Sequence, residues 1–306
     1  MFAERKSRVL LKNKTINVFN LTGMKTVNSL SGGRTSSYIA MNYPADIEIF
    51  AICCIDDHNA GAGIDKKMIQ MANDKLQKYC SHMPEFVATS EDPKILKLMF
   101  DLEQELGREI IWVRGMGWEQ MMNMKKMIPN LSARFCTTVL KMEPIFEWLY
   151  KYTELPVKMR IGYRYDELER ANNFNEFFKM AEKSQYQPNS NRWIKRWKEV
   201  MWREGEFVLV EDQIIHYQIK KYWDEKPQFI FPDDSNCLNC FWKQPQQLRK
   251  NFDTFAPIMY WSVIQEEIRG NQFKKDISML QASKLPIQLD FMFGGGSGCQ
   301  AGFCTD

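Results

Sequence analysis

Residues 25–40, KTVNSLSGGRTSSYIA, restrict the fold more than any other stretch of this chain. KTVNSL reads as a strand, a glycine pair follows, and a helix is expected from about Thr35. The same alternation continues downstream. Residues 46–56, DIEIFAICCID, are apolar almost throughout, as in a strand covered on both faces. Apolar positions at Ile64, Met68, Ile69, Met71 and Leu76 have helical spacing, and EFVATS (85–90) reads as a short strand. Asp92 followed by Pro93 is a good helix start. Residues 135–152 read as helical with a kink or break at Pro144, and PVKMRIGYR (156–164) as a strand. Alternating strands and helices predict an α/β class: a doubly wound, mostly parallel sheet with right-handed crossovers.

With 306 residues and 44% hydrophobic composition, the chain can bury a substantial core. The spacing predicts an N-terminal extension (1–24), a nucleotide-binding domain (25–235) and a C-terminal cysteine-rich appendage (236–306). Within the second lies an insert near 174–206 where aromatic and basic residues interleave. Trp193 and Trp197, with Val200 and Met201, form a stripe that predicts a helix there. Its Arg192, Lys195, Arg196, Lys198 and Arg203 suit phosphates and its tryptophans suit stacked bases, so a nucleic-acid contact competes with a plain packed face. Net charge is only +3, so no global electrostatic argument favours a nucleic-acid or membrane partner. No apolar run approaches membrane-spanning length. Glu4 and a broken apolar segment argue against a signal peptide, and the expected location is cytoplasmic.

A strand leading through glycines into a helix N-terminus makes an anion site. N–H groups point outward, the helix dipole adds positive charge, and the glycines admit close approach. Here the candidates are Ser31, Gly32, Gly33, Arg34, Thr35, Ser36 and Ser37. A tight turn capped by serine is the plainer alternative. Neither a Walker A ending nor a G-x-G-x-x-G spacing is present. Arg134 and Lys141 fall two helical turns apart and suit a polyphosphate, or an ordinary solvated face. Arg164 follows a strand end, where ligands bind in such sheets; Asp166 and Glu167 would order a metal or ribose hydroxyls, or pair with Arg164 and Arg170.

Of eight cysteines, Cys53, Cys54 and Cys80 read as small buried hydrophobes. Cys237-x-x-Cys240 has the knuckle spacing that brings two thiolates to one ion, and Cys299 and Cys304 form a second pair in a glycine-rich tail. Zinc and a [4Fe–4S] cluster both fit such a set. His58, His82 and His216 form no ligand spacing.

Four segments together carry a resemblance. SLSGGRTSSYIA (29–40) is similar to the PP-loop of the adenine nucleotide α-hydrolase superfamily. RFCTTVLKMEPI (134–145) and RIGYRYDELER (160–170) resemble two elements of the phosphoadenosine phosphosulfate (PAPS) reductase family. SNCLNCFWK (235–243) resembles the Cys-x-x-Cys-Phe element of that family's phage and prophage branch. The resemblance implies that the loop holds the pyrophosphate end of ATP, or the phosphosulfate of PAPS. It places adenine near the end of the second strand, with Gly162 lining the site. It implies that Ser31, Gly32, Gly33 and Ser36 hold a leaving pyrophosphate while Lys141, Arg164 and Arg134 neutralise charge. Cys136 matches a position that is a cluster ligand in some relatives, partnered by the downstream Cys-x-x-Cys. The expected activity is an ATP pyrophosphatase-type adenylation, with sulfur as one possible nucleophile and a sulfur-donor protein or nucleic acid as candidate partners. Thiol-dependent PAPS reduction and a non-catalytic nucleotide-binding module with structural zinc are the alternatives. Two departures stand out. Thr35 occupies a position where many ATP-splitting relatives carry aspartate, leaving Asp56 and Asp57 as candidates for handling Mg2+. The Glu-Cys-Gly-Ile/Leu-His segment of PAPS reductases proper is missing, and the tail reads GCQAGFCTD.

Overall fold

The computed structural model describes residues 23–187, 192–233 and 236–287. Five strands form the central sheet: β1 (Thr26–Leu30), β2 (Ile47–Ala51), β3 (Ile110–Val113), β4 (Val157–Arg160) and β5 (Arg203–Glu206). Their order is β3-β2-β1-β4-β5, and every neighbouring pair is parallel. Helices flank the sheet, so the α/β expectation holds.

Strand period explains the two layers. Ile47, Ile49 and Ala51 of β2 join one core with Val27, Val113 and Met159, whereas Phe50 faces the other core with Leu30 and Trp112. β2 is accordingly buried along its whole length, and the one charged side chain in it, Glu48, pairs with Arg108 at 2.7 Å. The first core takes Ile39 and Ala40 of α1 (Arg34–Asn42) and Leu96, Met99 and Leu102 of the helix Lys94–Leu106. The second takes Ile145, Phe146 and Leu149 of the helix Glu143–Tyr152.

Residues 236–287 share the first core through Leu238, Leu248, Phe252, Met259, Trp261 and Phe273. Among the described residues no separate cysteine-rich appendage is seen; Cys299 and Cys304 lie outside them. The insert differs from the helical expectation. Phe177–Gln187 and Arg192–Met201 pair antiparallel as a two-stranded ribbon, with an irregularity between Ala181 and Lys183. Its base packs on the second core, where Phe178 stacks on Phe146 at 4.2 Å. Ile194 and Trp197 are exposed further out.

Two local breaks matter for the site. After Ala51 the chain leaves the sheet, and Cys54–Ile55 pairs antiparallel with Ala88–Thr89, the only part of 85–90 that is strand. Cys53 sits at the break. A π-helical turn, Thr138–Met142, interrupts the helical stretch just before Pro144, which occupies the first turn of Glu143–Tyr152. Proline has no N–H to donate to the preceding turn, so the wider turn is accommodated there.

Candidate functional site

From β1 the chain runs outward to β2 and β3, then returns to place β4 on β1's other side. Ligands in open parallel sheets bind at such a reversal, beyond the strands' carboxyl ends. A cavity of about 340 Å3 lies there, lined by Ser31, Gly33 and Thr35 after β1 and by Ile161, Gly162 and Arg164 after β4. A Cβ on Gly162 would stand 3.2 Å from Thr35 Cγ2, so glycine lets the two strand ends converge.

On the glycine side, α1 begins at Gly33, and its first-turn N–H groups have no acceptor within the helix. The Ser31 and Ser36 hydroxyls lie 3.1 Å apart, and Ser36 Oγ also accepts the Ser31 N–H. These hydroxyls shape the loop, whereas Thr35 and the N–H groups remain to meet an anion. Gly32 has φ 78°, and a Cβ there would lie 2.5 Å from Ile95 Cγ2. It is therefore required by the turn itself and does not line the cavity. Gly33 is extended, and its Cβ would meet nothing closer than Ser31 Oγ at 3.6 Å. Ser37 is fully buried beneath the loop and does not line the cavity.

The cations divide into two kinds. Arg34 and Arg134 line the cavity, lie against Phe231 and Trp242 respectively, and have no ion pair among the described residues. Arg164 is held by Asp166 at 3.0 Å and Glu167 at 3.2 Å, and Arg170 also pairs with Glu167. Both carboxylates thus act as partners of arginine. Lys141, on the π-helical turn, bonds Glu91 Oε1 at 2.8 Å, and Glu91 is fully buried. Burial alone would pull the Lys141 ammonium down, but Glu91, Cys53 and Cys237 outweigh it and hold it above its ordinary value.

Sulfur is also part of the lining. Cys53, Cys136, Cys237 and Cys240 all line the cavity. Cys237 bridges to Glu91 as an isolated antiparallel pair, and flanking bonds run from Asp92 N–H to Asn236 O and from Leu238 N–H to Ser90 O. The knuckle is thereby strapped to the core. Asn236 reaches across, donating from Nδ2 to the Ser31 carbonyl, so one residue joins the knuckle to the glycine loop. Cys53, Glu91 and Cys237 have ligand atoms within 4.8 Å of one another, the one such trio among the described residues. A bond to Cys53 lowers the Cys237 thiol, and the same bond raises Cys53. Burial pushes Cys136 up to about 11 and Cys240 up to about 12. Lys243, entirely buried, lies close enough to Cys240 to favour its thiolate.

Asp56 and Asp57 do not line the cavity. Asp56 pairs with Arg114 at 2.7 Å, and Asp57 caps a short helix by accepting the Asn59 N–H. Cys53, Glu91 and His216 belong to the cavity or its wall without a motif to announce them. Cys53 lies in an apolar run, and only the break after Ala51 turns it inward. His216 titrates below its ordinary value because it is partly buried, with Arg164 nearby. Comparison with protein-family models, curated proteins and solved structures returned no match.

Proposed function

We propose that this chain is an enzyme of the PP-loop ATP pyrophosphatase type, with an adenine nucleotide α-hydrolase-like fold, that adenylates its substrate. One observation carries the reading. An uncapped helix start and two arginines, without carboxylate partners among the described residues, face one cavity at the sheet's reversal point. ATP places its phosphates against Gly33–Thr35, with Arg34, Arg134 and Arg164 around them. A substrate oxygen attacks the α-phosphorus, and the bond to the α–β bridging oxygen breaks. Pyrophosphate leaves with that electron pair, and a later nucleophile displaces AMP. The chain's contribution is positioning and charge neutralisation. Any Mg2+ arrives with the nucleotide, because Asp56 and Asp57 are engaged elsewhere.

Cys136, Cys237 and Cys240 fit a metal centre as buried or half-buried thiols on one wall, beside the cations Lys141 and Lys243. When bound, zinc would supply a structural tie, whereas a [4Fe–4S] cluster would supply redox-active iron that binds sulfur. A single tetrahedral zinc needs its sulfurs about 3.8 Å apart, from bonds of about 2.3 Å. Cys136, Cys237 and Cys240 do not gather within 4.8 Å as a trio, whereas Cys237 and Cys53 do lie within that distance, so elemental analysis distinguishes the two metals.

For the acceptor, a nucleic acid is favoured by the ribbon. Residues 177–201 carry six basic side chains against two acidic ones, in a chain whose whole net charge is +3. The deciding experiment incubates the protein, purified without oxygen, with ATP labelled in the α-phosphate. AMP or an adenylated product with stoichiometric pyrophosphate is expected, and Gly33→Val should abolish it while the fold survives. Sulfite release from PAPS with a thiol donor, without pyrophosphate release from ATP, would replace this reading with reduction. Nucleotide binding without turnover would replace it with a non-catalytic module.

A further inference from the structure

We infer that Cys53 is the fourth thiolate of the metal centre, taking the place that the cysteine-bearing tail would otherwise fill. The inference rests on the proposed centre at Cys136, Cys237 and Cys240. Three observations lead to it. First, those three and Cys53 are the cysteines that line the cavity among the described residues; Cys54 and Cys80 do not line it. Second, Cys53 Sγ lies within 4.8 Å of Cys237 Sγ, so the two sulfurs already converge on the same space. Third, Glu91, the remaining member of that trio, is committed. Its Oε1 holds the Lys141 ammonium at 2.8 Å, and its Oε2 accepts the Cys53 N–H at 3.3 Å. A carboxylate so engaged supports the ligand beside it and does not compete for the ion.

The backbone explains why Cys53, not its neighbour, is presented. The Cys53 N–H is bound by Glu91, and its carbonyl accepts from the Ser90 N–H and the Thr89 hydroxyl. All its main-chain groups are thereby fixed at the point where the chain leaves β2. Cys54 turns the other way, its thiol 3.8 Å from the Ile52 carbonyl. A ligand held by the core on one side and by the Cys237 knuckle on the other would make the metal a tie between β2 and the segment from 236 onward.

The test compares metal retention in five anaerobically purified proteins: wild type, Cys53→Ser, Cys54→Ser, Cys237→Ser and the double variant Cys299→Ser/Cys304→Ser. Iron and zinc are counted per chain before and after challenge with a chelator, visible absorption is recorded, and circular dichroism reports folding. Cys53→Ser and Cys237→Ser should each lose metal affinity by about 10- to 100-fold or more, the least that loss of even an outer partner causes. Cys54→Ser and the tail double variant should match wild type. Metal loss in the tail double variant, with full retention in Cys53→Ser, would overturn the assignment. Should Cys53→Ser fail to fold, the tail double variant decides: metal loss there overturns the assignment, and full retention leaves Cys53 as the fourth cysteine on the cavity. Equal metal in wild type and Cys237→Ser, or none in wild type, would instead remove the centre on which the inference rests.

Discussion

Two ion pairs of the same chemistry stand at opposite extremes of this molecule. Lys141 meets Glu91 at 2.8 Å on the cavity wall, where the carboxylate side chain is 1% exposed. Lys179 meets Glu199 at 3.4 Å on the ribbon, where the side chains are 71% and 60% exposed. In water the second pair is screened and freely replaced by solvent, so it contributes little. In the wall, removing one partner leaves the other charged and desolvated, and the loss far exceeds what the pair itself is worth. The cavity wall therefore demands its residues as a set, whereas the ribbon tolerates exchange.

The largest effect should come from breaking the buried pair. Lys141→Ala is expected to cost about 3–5 kcal/mol in urea unfolding of the metal-free protein. Lys179→Ala should stay within about 0.5 kcal/mol. Adding Glu91→Gln to Lys141→Met should recover part of the loss, since it removes the stranded charge. Equal, small losses at both sites would show that water reaches Glu91 and would collapse the contrast.

The same wall should reveal itself through pH. Burial holds the Cys136 thiol at about 11, against an ordinary value of 9.0. An acid whose folded value is raised keeps its proton longer in the folded state. Its contribution is complete below about pH 9 and is lost as pH rises towards 11. In metal-free protein, pulse alkylation of Cys136 read by mass spectrometry should thus have its midpoint near pH 11. A midpoint near 9 would place that sulfur in water.

The glycine loop lies between the extremes, and its two glycines separate structure from binding. Gly32→Ala should cost about 1–3 kcal/mol, because φ 78° disfavours a side chain and the new carbon would meet Ile95. Gly33→Ala should leave stability unchanged or slightly raised, since its backbone is extended and the space is open. It should nonetheless weaken ATP binding, read by calorimetry, by filling the approach to the helix start. Unchanged affinity in Gly33→Ala would reduce the loop to a turn.

Much of this contrast is legible in the residues, and the part that is not has physical causes. β1, β2, β4, the crossover helices and the helix start after Gly33 follow from apolar period and glycine placement, which are local signals. β3 is not among the expected strands, and β5, reading REGE, has no apolar period to announce it. Cys53 is hidden because its burial suits a core thiol as well as a ligand; only the pairing with Glu91 and Cys237, 38 residues and more away, distinguishes them. Lys141 resembles a phosphate ligand because a buried carboxylate partner 50 residues away leaves no trace in local sequence. The ribbon misleads for a different reason. Trp193 and Trp197 are four residues apart, a spacing that puts side chains on one face in a helix and a strand alike. The PNSN at 188–191, between the two strand segments, is turn-forming chemistry and is the discriminating signal.

The smallest effect on stability should come from the ribbon, and it gives the sharpest test of what the ribbon is for. Arg196, Trp197 and Lys198 are exposed on its second strand, and Lys179 faces solvent on its first. Reversing two of these charges, Arg196→Glu with Lys198→Glu, should leave unfolding within about 0.5 kcal/mol per site, because both side chains stand in solvent. Pyrophosphate release from ATP without an acceptor should also be unchanged, since neither residue lines the cavity. If the ribbon tracks a nucleic-acid backbone, affinity for a duplex should fall. The slope of log affinity against log salt should flatten by about one for each phosphate that is no longer neutralised. Trp197→Ala should weaken a single strand more than a duplex, because an exposed indole acts by stacking on unpaired bases. Fluorescence anisotropy across a salt series checks all three. Wild-type binding that is absent, or independent of salt, would leave the six basic residues as a solvated surface and return the acceptor to the small molecules.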